Sequence, residues 1–441
     1  MHKKLLGAVC ILLAAAAILV LALAAAPLTT PDNKTAAPVC NPLTGTEIPG
    51  KTADKIIPAT TVFDRVYDLG TLTTDSEETI LDLFWDATGD RTETKTATDS
   101  FGCSMIAKKC GDAAIVARNM DALYSNRPAY IYHTAVPGQY KTLGLTYTTH
   151  YHLPDYHELE SAGGLDEDTA SFISFICTDS INEAGLYIGE NMRVAEYETV
   201  DGITVNKFAN TADNPDKTKR VPIKLLPAIL TRHCANVQEA LDYIEKELDI
   251  YTRTGTDFDS YGYGFILADA GGRYGLLEIA SDKISWIEGG DCQTNFYVTE
   301  EFAAKEEYKI GLGRYAYLKE HLPACTTEND LLNLIKQVAY THVYSENCSF
   351  DNYSEQVHDR IEWTNAYVDT HHDEIEEIQK SDTALFQEQF SSEDISGDEI
   401  REILQNNDIW LSVFTLTANP SEKTLKVRFY EDENAVTTLA V

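Results

Sequence analysis

The stretch FGCSMIAKKCGDAAIVARNMDA, residues 101–122, places a cysteine, an arginine and an aspartate around one turn signal. Cys103 opens a short apolar run, and Arg118 and Asp121 close a β-rich run that follows the turn at KCGD. A thiol that reacts as a nucleophile needs nearby groups that take its proton and stabilise its charge. The stretch is therefore the first candidate for the chemistry of the chain.

The thiol of Cys103 needs a base, because a cysteine with a pKa near about 8.5 is mostly protonated at neutral pH. None of the eleven histidines stands in a recognisable cysteine-protease signature. If the chain is cut before Cys103, the new α-amine has a pKa of about 7.7–8.0 and can take the thiol proton. The small residue Gly102 leaves such a cut unhindered.

Further motifs follow in a fixed order: INEAGLYIGENM, then YGFILADAGGRYGLLEIASDKISWIEGGDCQTNFYV, then GLGRYAYL. Together with the opening stretch they resemble the choloylglycine hydrolases and penicillin V acylases. These are cysteine N-terminal-nucleophile hydrolases, and acid amidases are among their relatives. The resemblance covers about residues 103–320, and a terminal hairpin matches more weakly.

The resemblance implies an α+β fold, a four-layer αββα sandwich. It implies hydrolysis of a linear, non-peptide amide through an acyl-thioester on Cys103, after autocatalytic cleavage at Gly102–Cys103, with no metal and no organic cofactor. The long N-terminal extension differs from the short leader of bile-salt hydrolases and puts a bile-salt substrate in doubt. The alternatives are an acyltransferase of the same family and a non-catalytic, acidic, surface-anchored binding protein that keeps the fold.

The resemblance also assigns roles to side chains. Arg118 would favour the thiolate by its charge, and Asp121 would hold the freed amine. Asn295 would donate its amide to the developing oxyanion, a contribution of about 3 kcal/mol. Arg314 would be a second guanidinium at the site.

One further site position falls on Glu190 or Asn191, which are substrate-binding or oxyanion candidates. The strand after NEAGL is one residue shorter than the family pattern, so either of them can be the inward residue. The spacing from cysteine to arginine is also shortened by one, which a tighter turn at KCGD would absorb.

Each of these residues also has a purely structural interpretation. Cys103 can be a plain buried cysteine, and Arg118 with Asp121 a surface salt bridge that stabilises little. Asn295 can be a turn residue, and Arg314 an exposed helical arginine. Asn182, in NEAGL, is interpreted as a turn residue.

The charge composition of the chain limits which classes of molecule it can bind. The chain has 441 residues, with 70 acidic residues against 35 lysines and arginines, and a net charge of −35. Such a surface repels phosphate backbones and excludes nucleic-acid binding. We expect a small-molecule amide as the partner, a membrane contact only through the N-terminal helix, and leave homo-oligomer formation open.

The N-terminus predicts an extracytoplasmic protein that is membrane-anchored or secreted. Residues 1–26 combine a basic start with an apolar run long enough to span a bilayer, and form either a transmembrane anchor or a cleaved signal peptide. Residues 27–59 are predicted to be a linker, 60–102 a prosegment or spacer with a short helix, and 103–441 the catalytic domain.

The nine cysteines form no CxxC pair, which disfavours a zinc ribbon or a redox motif, while one or two disulfides are compatible with export. A histidine cluster around Asp155 (His150, His152, His157) is a candidate metal site, but it lacks an HExxH arrangement, and we expect no metal. Helices are predicted in 74–89, 221–234, 236–248, 300–322 and 328–340, and in parts of the acidic segment 371–408, between strands that form sheets covered by helices. Thr74 with Glu77 fits a capping box at the first of them, and Asn236 is the predicted N-cap of the third.

Overall fold

A computed structural model describes residues 41–42, 66–72, 103–123, 129–147, 156–193, 197–200, 203–210, 214–251, 262–306, 309, 311–339, 410–429 and 436–441. These all lie in one unit, Pro38–Val441. The predicted N-terminal helix at 1–26, nearly all of the linker, the predicted helix at 74–89 and the acidic segment 371–408 lie outside the described residues. Within the described ranges, no helix combines the length and the apolar character needed to cross a bilayer.

Strands make up most of the described chain. They are β1 (Asn41–Pro42), β2 (Val66–Leu72), β3 (Ser104–Cys110), β4 (Ala113–Leu123), β5 (Ala129–Thr134), β6 (Thr142–Thr146), β7 (Asp179–Asn182), β8 (Leu186–Arg193), β9 (Tyr197–Val200), β10 (Ile203–Asn206), β11 (Lys219–Pro222), β12 (Leu248–Tyr251), β13 (Gly262–Asp269), β14 (Tyr274–Ala280), β15 (Lys283–Glu288), β16 (Cys292–Gln293), β17 (Trp410–Asn419), β18 (Thr424–Phe429) and β19 (Thr437–Ala440).

The helices are shorter and lie between the strand groups. They are α1 (Tyr156–Ala162), α2 (Glu167–Ile173), α3 (Leu226–His233), α4 (Val237–Glu247), α5 (Glu300–Ala303), α6 (Leu312–His321) and α7 (Glu328–Lys336), with 3-10 turns at Ile223–Leu225 and Leu322–Ala324. Asn236 caps α4 as predicted, since its side chain accepts a hydrogen bond from the backbone of Glu239. Thr327 and Asp330 form a capping box at the start of α7.

Two sheets hold most of these strands. Nine strands follow the order β1-β2-β5-β6-β7-β8-β13-β14-β15, and six follow β16-β3-β4-β17-β18-β19. Strands β8 and β13 lie in the middle of the larger sheet and are buried along their whole length. The apolar run of β13, GYGFILA, is typical of a strand that is covered on both faces, whereas β8 also buries Glu190, Asn191 and Arg193.

Three apolar clusters show how the layers stack. One joins the larger sheet to α2, α3 and α4, with Leu186, Ile188 and Ile229 among its members. A second lies between the two sheets and includes Val116 from β4 and Ile266 from β13. A third joins the smaller sheet to α6 and α7. The described residues therefore form the four layers α-β-β-α that the sequence resemblance implies.

The predicted terminal hairpin is present, because β17 and β18 pair antiparallel around the turn ANPSEK. Two helix predictions were too long. The first residues of VPIKLLPAILTRHC belong to β11, which pairs in parallel with β12. The stretch 300–322 holds two helices, since α5 ends at Ala303 and α6 starts after Gly311, whose φ of 80° lies outside the helical region and makes it the N-cap.

Candidate active site

The hairpin β3–β4 sets the distance between Cys103 and Arg118. The strands pair from Ser104 opposite Asn119 to Cys110 opposite Ala113, so that Gly111 and Asp112 alone make the turn. Gly111 has a φ of 68°. A two-residue hairpin turn with positive φ at its first position needs glycine there. The tighter turn expected at KCGD is therefore present.

Alternation along β4 sends its functional side chains to opposite faces. Val116 and Met120 pack between the two sheets, whereas Ala117 packs toward the helices on the other face. Arg118 shares the face of Val116 and Met120, and Asp121 the face of Ala117, because strand side chains alternate. Arg118 and Asp121 are thus on different faces of β4, and they do not form the surface salt bridge considered above.

Cys103 lies at the start of β3 and is buried, with its side chain in the layer between the sheets. Its Sγ accepts a hydrogen bond from Nη2 of Arg118 at 3.3 Å and is 3.5 Å from Sδ of Met120. Among the hydrogen bonds that the described residues make to this sulfur, none comes from a side chain that acts as a base at neutral pH.

Asp179 holds the guanidinium of Arg118 in this position. Nη1 of Arg118 donates to Oδ2 of Asp179 at 2.9 Å, and both side chains are fully buried. The carboxylate of Asp179 also accepts from the hydroxyls of Thr178 at 2.9 Å and Tyr187 at 2.6 Å. This network fixes one side of the guanidinium, and Nη2 on the other side donates both to Sδ of Met120 at 3.0 Å and to the sulfur of Cys103.

Burial and neighbouring charges act in opposite directions on the Cys103 thiol. Burial raises its pKa, the positive charge of Arg118 lowers it, and the carboxylates of Asp121 and Glu190 raise it, with a net increase. Burial lowers the pKa of Arg118, but the charges of Asp179 and the Cys103 thiol raise it by a larger amount. The guanidinium is therefore charged at every accessible pH. In this state the thiol keeps its proton at neutral pH.

Asp121 lies behind the backbone of Cys103, together with Arg314 and Ser412. Ser412 donates a hydrogen bond to Oδ1 of Asp121, and Nη1 of Arg314 lies 3.5 Å from Oδ2. Burial raises the pKa of Asp121 to about 7, although Arg314 and Ser412 oppose the increase. A cation placed beside this carboxylate would restore its negative charge.

Arg314 joins three of the predicted residues. It is buried near the start of α6, and its Nη1 donates to the carbonyl of Cys103 at 3.3 Å and to the hydroxyl of Ser104 at 2.8 Å. Its Nη2 donates to Oδ1 of Asn295 at 3.0 Å. Arg314 is therefore not the exposed helical arginine considered above.

Asn295 is buried and accepts from Arg314, and its own amide is engaged. Its Nδ2 donates to the carbonyl of Met192 at 2.9 Å and to Oδ1 of Asn191 at 3.3 Å. An oxyanion ligand would have to replace one of these two acceptors. Asn191 in turn donates to the carbonyl of Thr294 at 3.0 Å.

The two candidates on β8 are separated by the same strand alternation. Asn191 shares its face with Tyr187, which lies between the sheets, and it contacts Asn295. Glu190 shares its face with Ile188, which packs against the helices, and it forms a buried ion pair with Lys224. Burial raises the pKa of Glu190, and Lys224 opposes the increase. Asn191 is therefore the inward residue of the pair.

The sequence predictions missed Asp179, Ser412 and Lys224. Asp179 follows an apolar run at the start of a strand, a polar position inside SFICTDSIN that signals a buried charge. Asn182 is the turn residue that the sequence indicates, since its Oδ1 accepts from the backbone of Ala184 and Leu186. His150 and His152 lie outside the described residues, and the described residues contain no cluster of metal-binding side chains.

No family model matches the sequence, and no curated protein matches it. The chain resembles solved acylases and bile acid hydrolases. A mutant and a variant of conjugated bile acid hydrolase from Clostridium perfringens are each 14% identical over 77% of this chain and 92% of theirs, with a TM-score of 0.39. Penicillin V acylase from Agrobacterium tumefaciens is 14% identical over 76% of this chain and 84% of its own, with a TM-score of 0.33. At such low similarity, any function has to be inferred from the side chains of the site.

Proposed function

We propose that the chain is a cysteine amidase that hydrolyses a linear, non-peptide amide through an acyl-thioester on Cys103. The observation that supports this most directly is the hydrogen bond from the buried guanidinium of Arg118 to the sulfur of Cys103, at 3.3 Å. A charge-assisted donor aimed at a thiol stabilises the thiolate and the acyl-transfer transition state.

The missing base would come from the chain itself. Hydrolysis of the Gly102–Cys103 peptide bond gives a carboxylate on Gly102 and an α-ammonium on Cys103, which equilibrates with the neutral amine near pH 8. The carboxylate of Asp121 lies behind Cys103 and interacts with its thiol electrostatically. We propose that Asp121 binds the new amine, whose positive charge then lowers the raised pKa of this carboxylate.

In the acylation step the sulfur attacks the amide carbonyl, and the α-amine takes the thiol proton. The oxyanion accepts hydrogen bonds in a site that Asn295 and Asn191 contribute to, and Arg314 holds Asn295 in place. When the tetrahedral intermediate collapses, the C–N bond breaks and the α-ammonium gives its proton to the leaving amine. Water then attacks the thioester, with the amine again as base, and releases the carboxylic acid.

The N-terminal assignments are part of the same proposal. Residues 60–102 would be a prosegment that precedes the cut, and residues 1–26 would export the protein, either as an anchor or as a cleaved signal. Both follow from the sequence alone. The N-terminal residue of the mature protein reports the cut before Cys103, and the N-terminal residue of the uncut Cys103→Ala variant, made in the native host, reports whether residues 1–26 are removed.

The test combines processing and turnover. Purified protein is offered conjugated bile salts, penicillin V, N-acyl amino acids and N-acylethanolamines, with and without a thiol-alkylating agent. We expect a mature chain that begins at Cys103, hydrolysis of at least one class, and loss of that activity on alkylation. Active protein with the Gly102–Cys103 bond still joined would falsify the mechanism. Acyl transfer to an added amine in place of hydrolysis would favour the acyltransferase.

A further inference from the structure

The segment that carries Asn295 has almost no regular structure of its own. Only Cys292–Gln293 pairs as a strand, with β3, and residues 294–299 continue as irregular backbone until α5 begins. A side chain that must meet a developing charge within a fraction of an ångström needs a rigid support. The support for this segment is a set of buried polar contacts to one ion pair.

Arg193, the last residue of β8, holds the first half of the segment. Its Nη1 donates to the carbonyl of Thr294 at 2.5 Å, on the residue directly before Asn295. Its Nη2 donates to Oε1 of Gln293 at 2.8 Å and to Oε1 of Glu278 at 3.1 Å. Both ionic side chains are fully buried.

Glu278, on β14, holds the second half. Its carboxylate accepts the backbone N–H of Val298 at 2.9 Å and 3.1 Å, and that of Thr299 at 2.7 Å. One ion pair, Arg193 with Glu278, therefore contacts the chain on both sides of Asn295. We call these two residues the clamp.

In the motif YGYG, Gly264 makes room for Arg193 of the clamp, and Gly262 makes room for Tyr297 beside it. A Cβ on Gly264 would overlap Nη2 of Arg193, and a Cβ on Gly262 would overlap the hydroxyl of Tyr297. The guanidinium also lies over the ring of Tyr297, 5.5 Å from its centre. The motif is thus explained by the space that a buried arginine needs between β13 and the segment.

A buried ion pair is a costly way to stabilise a fold. Removing two charges from water costs several kcal/mol, and well-packed apolar residues of similar volume commonly stabilise as well or better. What the charged pair supplies and an apolar pair does not is a set of directional bonds to carbonyl and N–H groups of an irregular backbone. Such bonds fix position, which is the requirement at Asn295.

We propose that Arg193 and Glu278 are positioning residues of the amidase, which hold segment 293–299 so that Asn295 meets the oxyanion. This inference rests on the proposed function. Loosening the clamp should lower kcat about 10–100-fold, because the oxyanion contact is made mainly in the transition state, while KM changes less than about twofold. The contact between the Cys103 sulfur and Arg118, which the hairpin β3–β4 sets, should be unchanged.

The experiment compares Arg193→Lys and Gly264→Ala with Gly144→Ala. A Cβ on Gly144 overlaps the ring of Tyr132, in the same sheet but away from segment 293–299. Gly144→Ala is therefore the control for a steric clash that lowers the stability of the fold without reaching the segment. We expect both clamp variants to lose kcat, to process normally and to alkylate Cys103 at the wild-type rate. Gly144→Ala should lower Tm and keep kcat within about threefold.

Hydrogen exchange separates failure of the clamp from failure of the function. In folded Arg193→Lys or Glu278→Gln, the amides of Val298 and Thr299 should exchange at least about tenfold faster than in the wild type. If the exchange rate of these amides is unchanged, or if it rises while kcat stays at the wild-type value, Arg193 and Glu278 are not positioning residues. If the wild type hydrolyses no amide, the amidase proposal fails, and exchange alone decides whether the clamp holds the segment.

Discussion

Cys103 and Cys177 are both buried in the neighbourhood of a buried arginine, and they differ in what the arginine does. Arg118 donates to the sulfur of Cys103 at 3.3 Å, and Asp179 fixes its orientation. Arg232 instead lies over the ring of Phe175, 3.5 Å from its centre, and donates to Ser174. Burial raises the pKa of Cys177 to about 12 even though Arg232 opposes the increase.

The comparison teaches that burial beside a guanidinium does not make a thiol useful. Cys177 belongs to the apolar cluster that joins the larger sheet to the helices. The cut proposed at Gly102–Cys103 frees no amine beside it. Cys103 directly precedes β3, and the hairpin that follows it places an arginine at its sulfur and a carboxylate behind its backbone. The two thiols therefore differ in whether an arginine donates to the sulfur, and in whether the cysteine follows the proposed cut.

Removing the sulfur gives the largest expected difference between the two thiols. Cys103→Ala should lose at least about 10³-fold in kcat/KM and should keep the Gly102–Cys103 bond intact, because no nucleophile remains. Cys177→Ala should keep activity within about threefold and lose about 1–2 kcal/mol of stability. Steady-state kinetics and intact mass measure both; equal losses would end the distinction between the thiols.

The same contrast extends to two buried asparagines. Asn295→Ala should lower kcat about 10²–10³-fold, as the loss of an oxyanion donor does, and should also lower Tm, because it leaves buried partners of Asn295 unpaired. Asn182→Ala should lower Tm by a comparable amount and leave kcat within about threefold, because Asn182 satisfies backbone groups of a turn and its loss costs about 1–3 kcal/mol. Thermal unfolding and kcat on one substrate test the pair, and a large kcat loss in Asn182→Ala with unchanged stability contradicts the assignment.

Replacing each arginine by lysine sharpens the comparison further. A lysine cannot contact Asp179 and the sulfur together, so Arg118→Lys should cost about 10–100-fold in kcat/KM and raise the apparent pKa of Cys103 alkylation. Arg232→Lys should leave the alkylation profile where it is. The rate of alkylation against pH, read by mass spectrometry, is the measurement, and coincident profiles for Arg118→Lys and the wild type would refute the role of Arg118.

The smallest effect concerns Asp121. Its pKa of about 7 in the uncut fold exceeds the ordinary value of 3.8, so the folded state binds the proton more tightly than the unfolded state. Stability is then lost as the pH rises from about 4 to about 7. In a Cys103→Ala background, adding Asp121→Asn should flatten the fall in Tm over this window by roughly 2 °C. Parallel Tm profiles with and without the second change would contradict it.

Predictions from sequence succeeded where a local rule decides the structure. The two-residue turn at Gly111, the cap at Asn236 and the terminal hairpin follow from turn and capping chemistry. The motif order placed Cys103, Arg314 and Asn295 in one connected set, and the contacts between them are present. The catalytic roles themselves are still predictions.

What sequence could not supply are the partners that the topology brings together. Asp179 lies 61 residues from Arg118 along the chain, and Ser412 lies 291 residues from Asp121. No spacing rule joins such residues. Asp179 meets Arg118 only when the two sheets stack, and Ser412 meets Asp121 only when β17 pairs with β4. The choice between Glu190 and Asn191 likewise needed the register of β8, which fixes the face of each side chain.

The pairing of β3 with β4 makes the site sensitive to the number of residues in each strand. Loops usually tolerate added residues, and an extra residue in the turn at Gly111–Asp112 would be absorbed there. A single extra residue inside β4, before Arg118, would instead shift its side chain to the opposite face of the strand, away from the sulfur and into the layer of the helices. Grafting this nucleophile and cation into another scaffold would therefore require copying the two paired strands along with the two side chains.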